Sequence, residues 1–370
     1  MWKAFVCIAA LFLVISSNAL PQEPTEDASN ASAEALTSSA VISGVPMLKF
    51  GKGMDCTFFG ALRACLQRIG EQVTYEYLMG VSGAAFATRF RSDWSATSAD
   101  AGLNEDHAKP ALEALGYSYE WAGSGMPNAS EVVIASIDAG IPIVASRLVG
   151  YTDWGLLVGY KHGGDIWLCR TYHDKTDAYT EVANLPHSML ILGEKRTQPS
   201  TEESVKRSIR LSVQFAKGEK TLSDARFEVG LKAYEAWIKA LNSQDLAKYP
   251  PAELQRIMHV NAWLYRCLID ARSAGVKYLK WAEKFIPDEA RSALNDAATA
   301  YEEEVRMLED ARNSAPYPYE VSETEGWTSK MRNEQIKTMT SALEKEKEAI
   351  ASLEKVLSVI DTTSHSSHEN

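Results

Sequence analysis

Residues 51–70 read GKGMDCTFFGALRACLQRIG, a glycine-flanked loop that runs into Cys56 and then into a helical pattern. Phe58, Leu62, Cys65, Leu66 and Ile69 recur at the three-and-four spacing of an amphipathic helix. Asp55 stands where an N-cap is expected and Gly70 where the helix should end. A thiol on the first turn lies at the positive end of the macrodipole, which favours the thiolate and hence nucleophilicity. The competing reading is a small, buried, inert cysteine. If the thiol acts, a base must serve it, and the rest of the chain is read with that base in view.

Downstream, TYEYLMGVSGAAFATRF is helical and breaks at GVSG, and further helices are expected over 105–115 and at ASEVVIASIDAG. GVSGAAF lacks the Lys and Ser or Thr of a phosphate loop, so its glycines point to close helix packing near the cysteine helix. The pattern then changes to short β-rich runs: GIPIVASRLV, DWGLLVGYKH, GDIWLCRTYHD and SMLILGEKR. KHGGD between two of them is a hairpin signal. Helices followed by an antiparallel sheet define an α+β domain, expected over residues 43–198.

After Ser200 the strand pattern stops, and residues 199–361 read as an all-α bundle of four or five helices. Val260, Trp263, Leu264, Cys267, Leu268 and Ala271 form one apolar face, and Leu294, Ala297, Tyr301, Val305 and Leu308 another. Trp237, Trp263 and Trp281 are expected in the bundle core. The runs Glu302–Glu304 and Glu344–Glu348 are expected on solvated helix faces. Residues 362–370 read as a disordered tail. At the other end, Lys3, a short apolar run and SSNA make residues 1–19 a secretory signal peptide. Residues 20–42, rich in Ser, Ala, Thr, Glu and Pro, read as a disordered linker. The expected mature protein is exported, periplasmic or extracellular, with no membrane span.

A net charge of −11 excludes nucleic acid as a partner class, and no basic patch interleaves with aromatics. Past residue 19 the cysteines are Cys56, Cys65, Cys169 and Cys267. If helical, Cys56 and Cys65 lie about 13 Å apart along the axis, too far for a disulfide. No His, Cys or carboxylate spacing suits a metal, and no cofactor is expected.

The order of DC at a helix start, then helices, GIPIVAS, DWGLLVGY and a return strand resembles the papain-like cysteine peptidase fold. The resemblance is to C39-like peptidases and the N-terminal domain of butirosin-biosynthesis H-type acyltransferases, over about residues 44–197. It implies a papain-like (C39-like) domain with Cys56 as nucleophile. It also implies a histidine at the start of the DWGLLVGY strand, where this chain has Asp153. The family glutamine shortly before the cysteine, which holds the oxyanion, has no match in FGKGMD. Asp174 lies near the place where the family carries the Asp or Asn that orients the histidine.

His173 follows the return strand beside Asp174 and is the best substitute base. His162 falls in the hairpin turn. His107 is expected to face solvent, His187 an edge, and His259 belongs to the bundle; His365 and His368 belong to the tail. RTYHD, with Arg170, Tyr172 and His173, reads either as the polar rim of a cleft or as a solvated strand edge. The leading expectation is a cysteine-dependent hydrolase or acyltransferase acting on a peptide or a small amide or thioester. Cys56 would attack, His173 or a group the sequence does not identify would act as base, and Asp153 would position the base or the substrate. The rivals are a pseudoenzyme that binds a peptide or small ligand, and a bundle that serves a protein partner or self-association.

Overall fold

The computed structural model describes residues 38–99, 105–219, 226–243, 246, 248–321 and 326–366. The expected signal peptide, linker residues 20–37 and His368 lie outside them. The elements run β1 (Ala40–Val41), α1 (Thr57–Arg68), α2 (Tyr75–Val81), β2 (Arg89–Phe90), α3 (Glu105–Leu115), β3 (Tyr117–Ala122) and α4 (Ala129–Asp138). They continue with β4 (Ile143–Ser146), β5 (Trp154–Lys161), β6 (Ile166–Arg170), β7 (Thr180–Val182) and β8 (Met189–Lys195). The helical part holds α5 (Thr201–Lys217), β9 (Glu228–Val229), α6 (Leu231–Leu241), α7 (Pro251–Ala282), α8 (Asp288–Asp310) and α9 (Ser329–Ser366).

The protein is α+β, with an antiparallel seven-stranded sheet and a C-terminal helical region. The sheet order is β3-β8-β4-β5-β6-β7, with β1 also on β5. β6 occupies one edge of β5 at Gly159 and Tyr160, so β1 takes the other, beyond the end of β4. Every β5 residue before Lys161 is buried, as a run apolar on both faces requires. Tyr160 fixes it to α4 through a 3.0 Å bond to Asp138.

Several expectations change. The described structure reaches into the stretch read as linker, because residues 38–42 include β1 and the Ile42 N–H reaches Val158 O at 2.7 Å. The N-cap of α1 is Cys56; Asp55 instead accepts from the Gly51 N–H at 2.6 Å and closes the glycine loop. Strand pairing does not end at residue 200, since β9 pairs with β2. Helix α9 runs to Ser366, into the expected tail.

The bundle and the sheet share their cores. One apolar cluster joins Phe58, Leu62 and Leu157 to Tyr278, Leu294, Tyr301 and Leu353; a second joins Phe90 and Trp94 to Trp237, Tyr265 and Leu308. The expected boundary at residue 198 falls between β8 and α5, but apolar packing crosses it. Close helix packing at GVSG is part of this contact, and its neighbours are α7 and α5. A Cβ at Gly80 would lie 1.9 Å from the Tyr278 ring, and one at Gly83 would lie 2.9 Å from the Phe215 ring. Gly80→Ala is therefore expected to cost about 1–3 kcal/mol by overpacking. Urea unfolding reads this directly, and an unchanged midpoint would contradict the contact.

The acidic runs are not uniformly solvated. Glu304 is 0% exposed and Glu346 is 1% exposed. Arg272 of α7 lies between them and is also fully buried. Its Nε meets Glu346 at 2.8 Å, and its other nitrogens reach Ala85 O and Thr88 Oγ1, each at 2.7 Å. Helical periodicity turns Glu304 and Glu346 inward while their neighbours face out. His107 is likewise buried, with its Nδ1 3.3 Å from Ser82 O and its ring 4.3 Å from Phe215, because α3 packs that face inward.

Candidate active site

Cys56 caps α1 with extended backbone (φ −75°, ψ 97°) and is 3% exposed. The backbone around it is held from two helices. The Cys56 N–H donates to Tyr75 Oη at 3.1 Å, and the Asp55 N–H donates to Asp270 Oδ2 at 3.1 Å. Tyr75 in turn donates to the same Asp270 oxygen at 2.5 Å. Burial, then the charge of Asp55, pushes the Asp270 carboxyl from an ordinary 3.8 up to about 7. Burial, then the charge of Asp270, raises the Tyr75 phenol well above its usual range. Cys267 of α7 donates through Sγ to Asp55 O at 3.6 Å. Helix α7 thus lies directly over the turn that presents Cys56.

The start of β5 is tied to the same turn. The Trp154 N–H donates to Thr57 Oγ1 at 3.0 Å, which sets Asp153 next to the start of α1. Asp153 is buried, and its Oδ2 lies 2.9 Å from His173 Nε2. The hairpin register explains this pairing. Near the turn, Gly159 faces Leu168; after a bulge, Leu157 faces Cys169 and Leu156 faces Arg170. Continuing that register sets His173 opposite Asp153. Without the bulge, Asp174 would stand there.

His173 is the solvent-facing member, with its side chain 34% exposed. Its ring stacks on Tyr151 at 4.0 Å and meets the edge of Phe50 at 5.9 Å. Tyr151 and Phe50 are both exposed. Asp174 does different work. Its carboxylate accepts from Arg170 at 2.8 Å, from the Thr171 N–H and Oγ1, and from Thr180 Oγ1. Both partners of that ion pair are almost fully buried, so Asp174 braces the turn after β6. The orienting contact expected of it is made by Asp153. Of the expected rim residues only His173 reaches the surface. Arg170 is buried, and Tyr172 donates inward to Met54 O at 2.8 Å above Gly60.

Beside Cys56 lies a cavity of about 20 Å³, lined in part by Met79, Thr88, Leu264, Cys267 and Leu268. That is room for about one water molecule. Asp153 and His173 are not among its lining residues. Elsewhere, His162 sits exposed in the hairpin turn, and exposed His187 places Nδ1 3.1 Å from Ser124 Oγ. Burial holds His259 below its ordinary range, and it packs on Tyr317. Among the described residues, no three His, Cys, Asp or Glu side chains are grouped as a metal ion requires, and no helix is long and apolar enough to cross a membrane.

Asp270 and Tyr75 escaped the sequence reading. The one available signal was an aspartate between Ile269 and Ala271 on a largely apolar stretch of α7, where an unpaired carboxylate would be costly. Compared with known families and with curated proteins, the chain matches no family model and no curated sequence.

Proposed function

We propose that this chain is an exported, papain-like pseudoenzyme: a cysteine-hydrolase frame that binds a peptide or small ligand at its rim without turning it over. Support for the frame comes from the thiol at a helix start, the antiparallel sheet behind it and Asp153 at the strand position where the family carries histidine. Support for export comes from the charge, apolar run and small residues of the first nineteen positions.

One observation carries the loss of catalysis. The Cys56 N–H, which an oxyanion would need, already donates to Tyr75, and the Asp55 N–H beside it donates to Asp270. A substrate carbonyl would have to displace a buried carboxylate and phenol and lift α7 as well. The space beside the thiol is about 20 Å³, against about 300 Å³ or more for an ordinary ligand pocket. Ligand contact then falls to the exposed ring group of Phe50, Tyr151 and His173, with Asp153 fixing the imidazole.

The Asp153–His173 contact favours a second reading, in which the two residues have exchanged family positions and His173 still serves Cys56. One experiment separates the readings. Native protein is treated with iodoacetamide from pH 6 to 9 and mapped peptide by peptide, with Cys56→Ser as the blank. The pseudoenzyme reading expects Cys56 to stay unmodified through a short exposure of the native protein and to react once the protein is unfolded. Fast labelling below pH 7, well under an ordinary thiol value of about 8.5, would overturn it and restore the hydrolase.

A further inference from the structure

We infer that Cys56 and Cys267 are a disulfide-forming pair that fastens α7 to the start of α1. All four cysteines among the described residues are buried thiols in this structure. Two of them, Cys56 and Cys267, line the same small cavity from opposite halves of the chain. The Cys267 sulfur lies 3.6 Å from the carbonyl oxygen of Asp55, the residue immediately before Cys56. Covalent geometry puts a carbonyl oxygen about 2.8 Å from the next Cα, so that sulfur is within about 6.4 Å of the Cys56 Cα. Bridged cysteines have Cα atoms about 4.4–6.8 Å apart; the Cys267 sulfur stands about 2.8 Å from its own Cα, so the contact bounds this pair's Cα separation at about 9 Å. Rotation of both side chains with a small approach of α7 to α1, collapsing the 20 Å³ void, is the movement required. The surrounding backbone is already fixed by Asp270 and Tyr75.

The other two thiols have no such geometry. Cys65 donates to Pro142 O at 3.0 Å within the sheet-facing side of α1, and Cys169 lies inside β6 opposite Leu157. The pairing is therefore selective. It would also close a loop of about 210 residues across the two halves, and long loops are where a cross-link restricts the unfolded chain most.

The chemistry is thiol–disulfide exchange with a small disulfide such as glutathione disulfide. One protein thiolate attacks a glutathione sulfur and expels one glutathione thiolate, leaving a mixed disulfide. The second protein thiolate attacks the protein-side sulfur and expels the other glutathione, which takes up a proton. Two protein thiols are oxidised and one glutathione disulfide is reduced to two thiols. Local opening of α7 gives the reagent access, so exchange proceeds even though iodoacetamide finds Cys56 closed in a short exposure.

The test uses the mature chain without residues 1–19, and so without Cys7, equilibrated with a glutathione redox couple until the thiol content stops changing. It is then quenched in acid, alkylated in denaturant and mapped without reduction. The expected map contains one linked peptide, Cys56 to Cys267, with Cys65 and Cys169 alkylated. The oxidised protein should melt several degrees higher than the reduced protein, and reductant should reverse the shift. Cys267→Ser should abolish the linked peptide and leave the melting temperature insensitive to the redox couple. Four alkylated cysteines at equilibrium, or any other pairing, would overturn the assignment.

Discussion

Arg272→Met is expected to cost about 3–5 kcal/mol of folding stability, because it leaves a buried carboxylate without its cation. The guanidinium is fully buried where α6, α7, α8 and α9 meet. It bonds Glu346 at 2.8 Å and Tyr234 Oη at 3.2 Å, and stands 5.6 Å from the Tyr301 ring centre. Its reach to Ala85 O and Thr88 Oγ1 ties that junction to the segment bordering the Cys56 cavity. The two carboxylates are not equivalent. Burial, then the charge of Glu346, drives the Glu304 carboxyl well above its ordinary range, which favours its neutral form. Glu304→Gln, which mimics the form that burial favours, should then cost less than Glu346→Gln, whose carboxylate makes the closer contact to Arg272 and whose loss should approach the cost of Arg272→Met. Urea unfolding of the three variants measures the ranking. A cost below about 1 kcal/mol for Arg272→Met would mean the junction is held by its apolar packing alone. Since the same residue pins the cavity wall, Arg272→Met should also speed alkylation of Cys56.

Residue pattern carried the fold class further than it carried the site. The cysteine helix, the four central strands and the three long helices follow periodicities that local side chains dictate. Strand β3, YSYEWA, went unread because its burial alternates weakly, and β1, β2 and β9 are two-residue pairings that exist only through their partners. The inward turn of Glu304 and Glu346 is invisible in a run of like charges, because helical phase relative to distant Arg272 decides it. The Asp153–His173 contact was half legible. A hairpin counted back from KHGGD brings Asp153 opposite Asp174, and only the one-residue bulge in β5 moves His173 into place. Nothing local in DC foretold that a helix more than two hundred residues away would take its Asp55 N–H, or Tyr75 of α2 its Cys56 N–H.

Asp270→Asn is expected to raise stability by about 1 kcal/mol at pH 4.5 and by up to about 4 kcal/mol at pH 8. The sign follows from the raised carboxyl. Folded Asp270 holds its proton until about pH 7, whereas the unfolded side chain releases it near 3.8. Unfolding between those values therefore releases a proton, and the contribution of this group is full below pH 3.8 and lost as pH climbs through 7. Asparagine keeps an oxygen to accept from the Asp55 N–H and from Tyr75, and it carries no charge to desolvate. Comparing parent and variant by urea unfolding at pH 4.5, 6 and 8 cancels every titration they share, including that of Glu304. A difference that stays constant with pH would mean Asp270 is ionised throughout and held by its two donors. In that case a formal anion would sit against the start of the cysteine helix, and its occlusion would be electrostatic as well as steric. If the difference grows with pH as expected, the site is filled at neutral pH by a carboxyl poised between its two states, and it closes most firmly in acid.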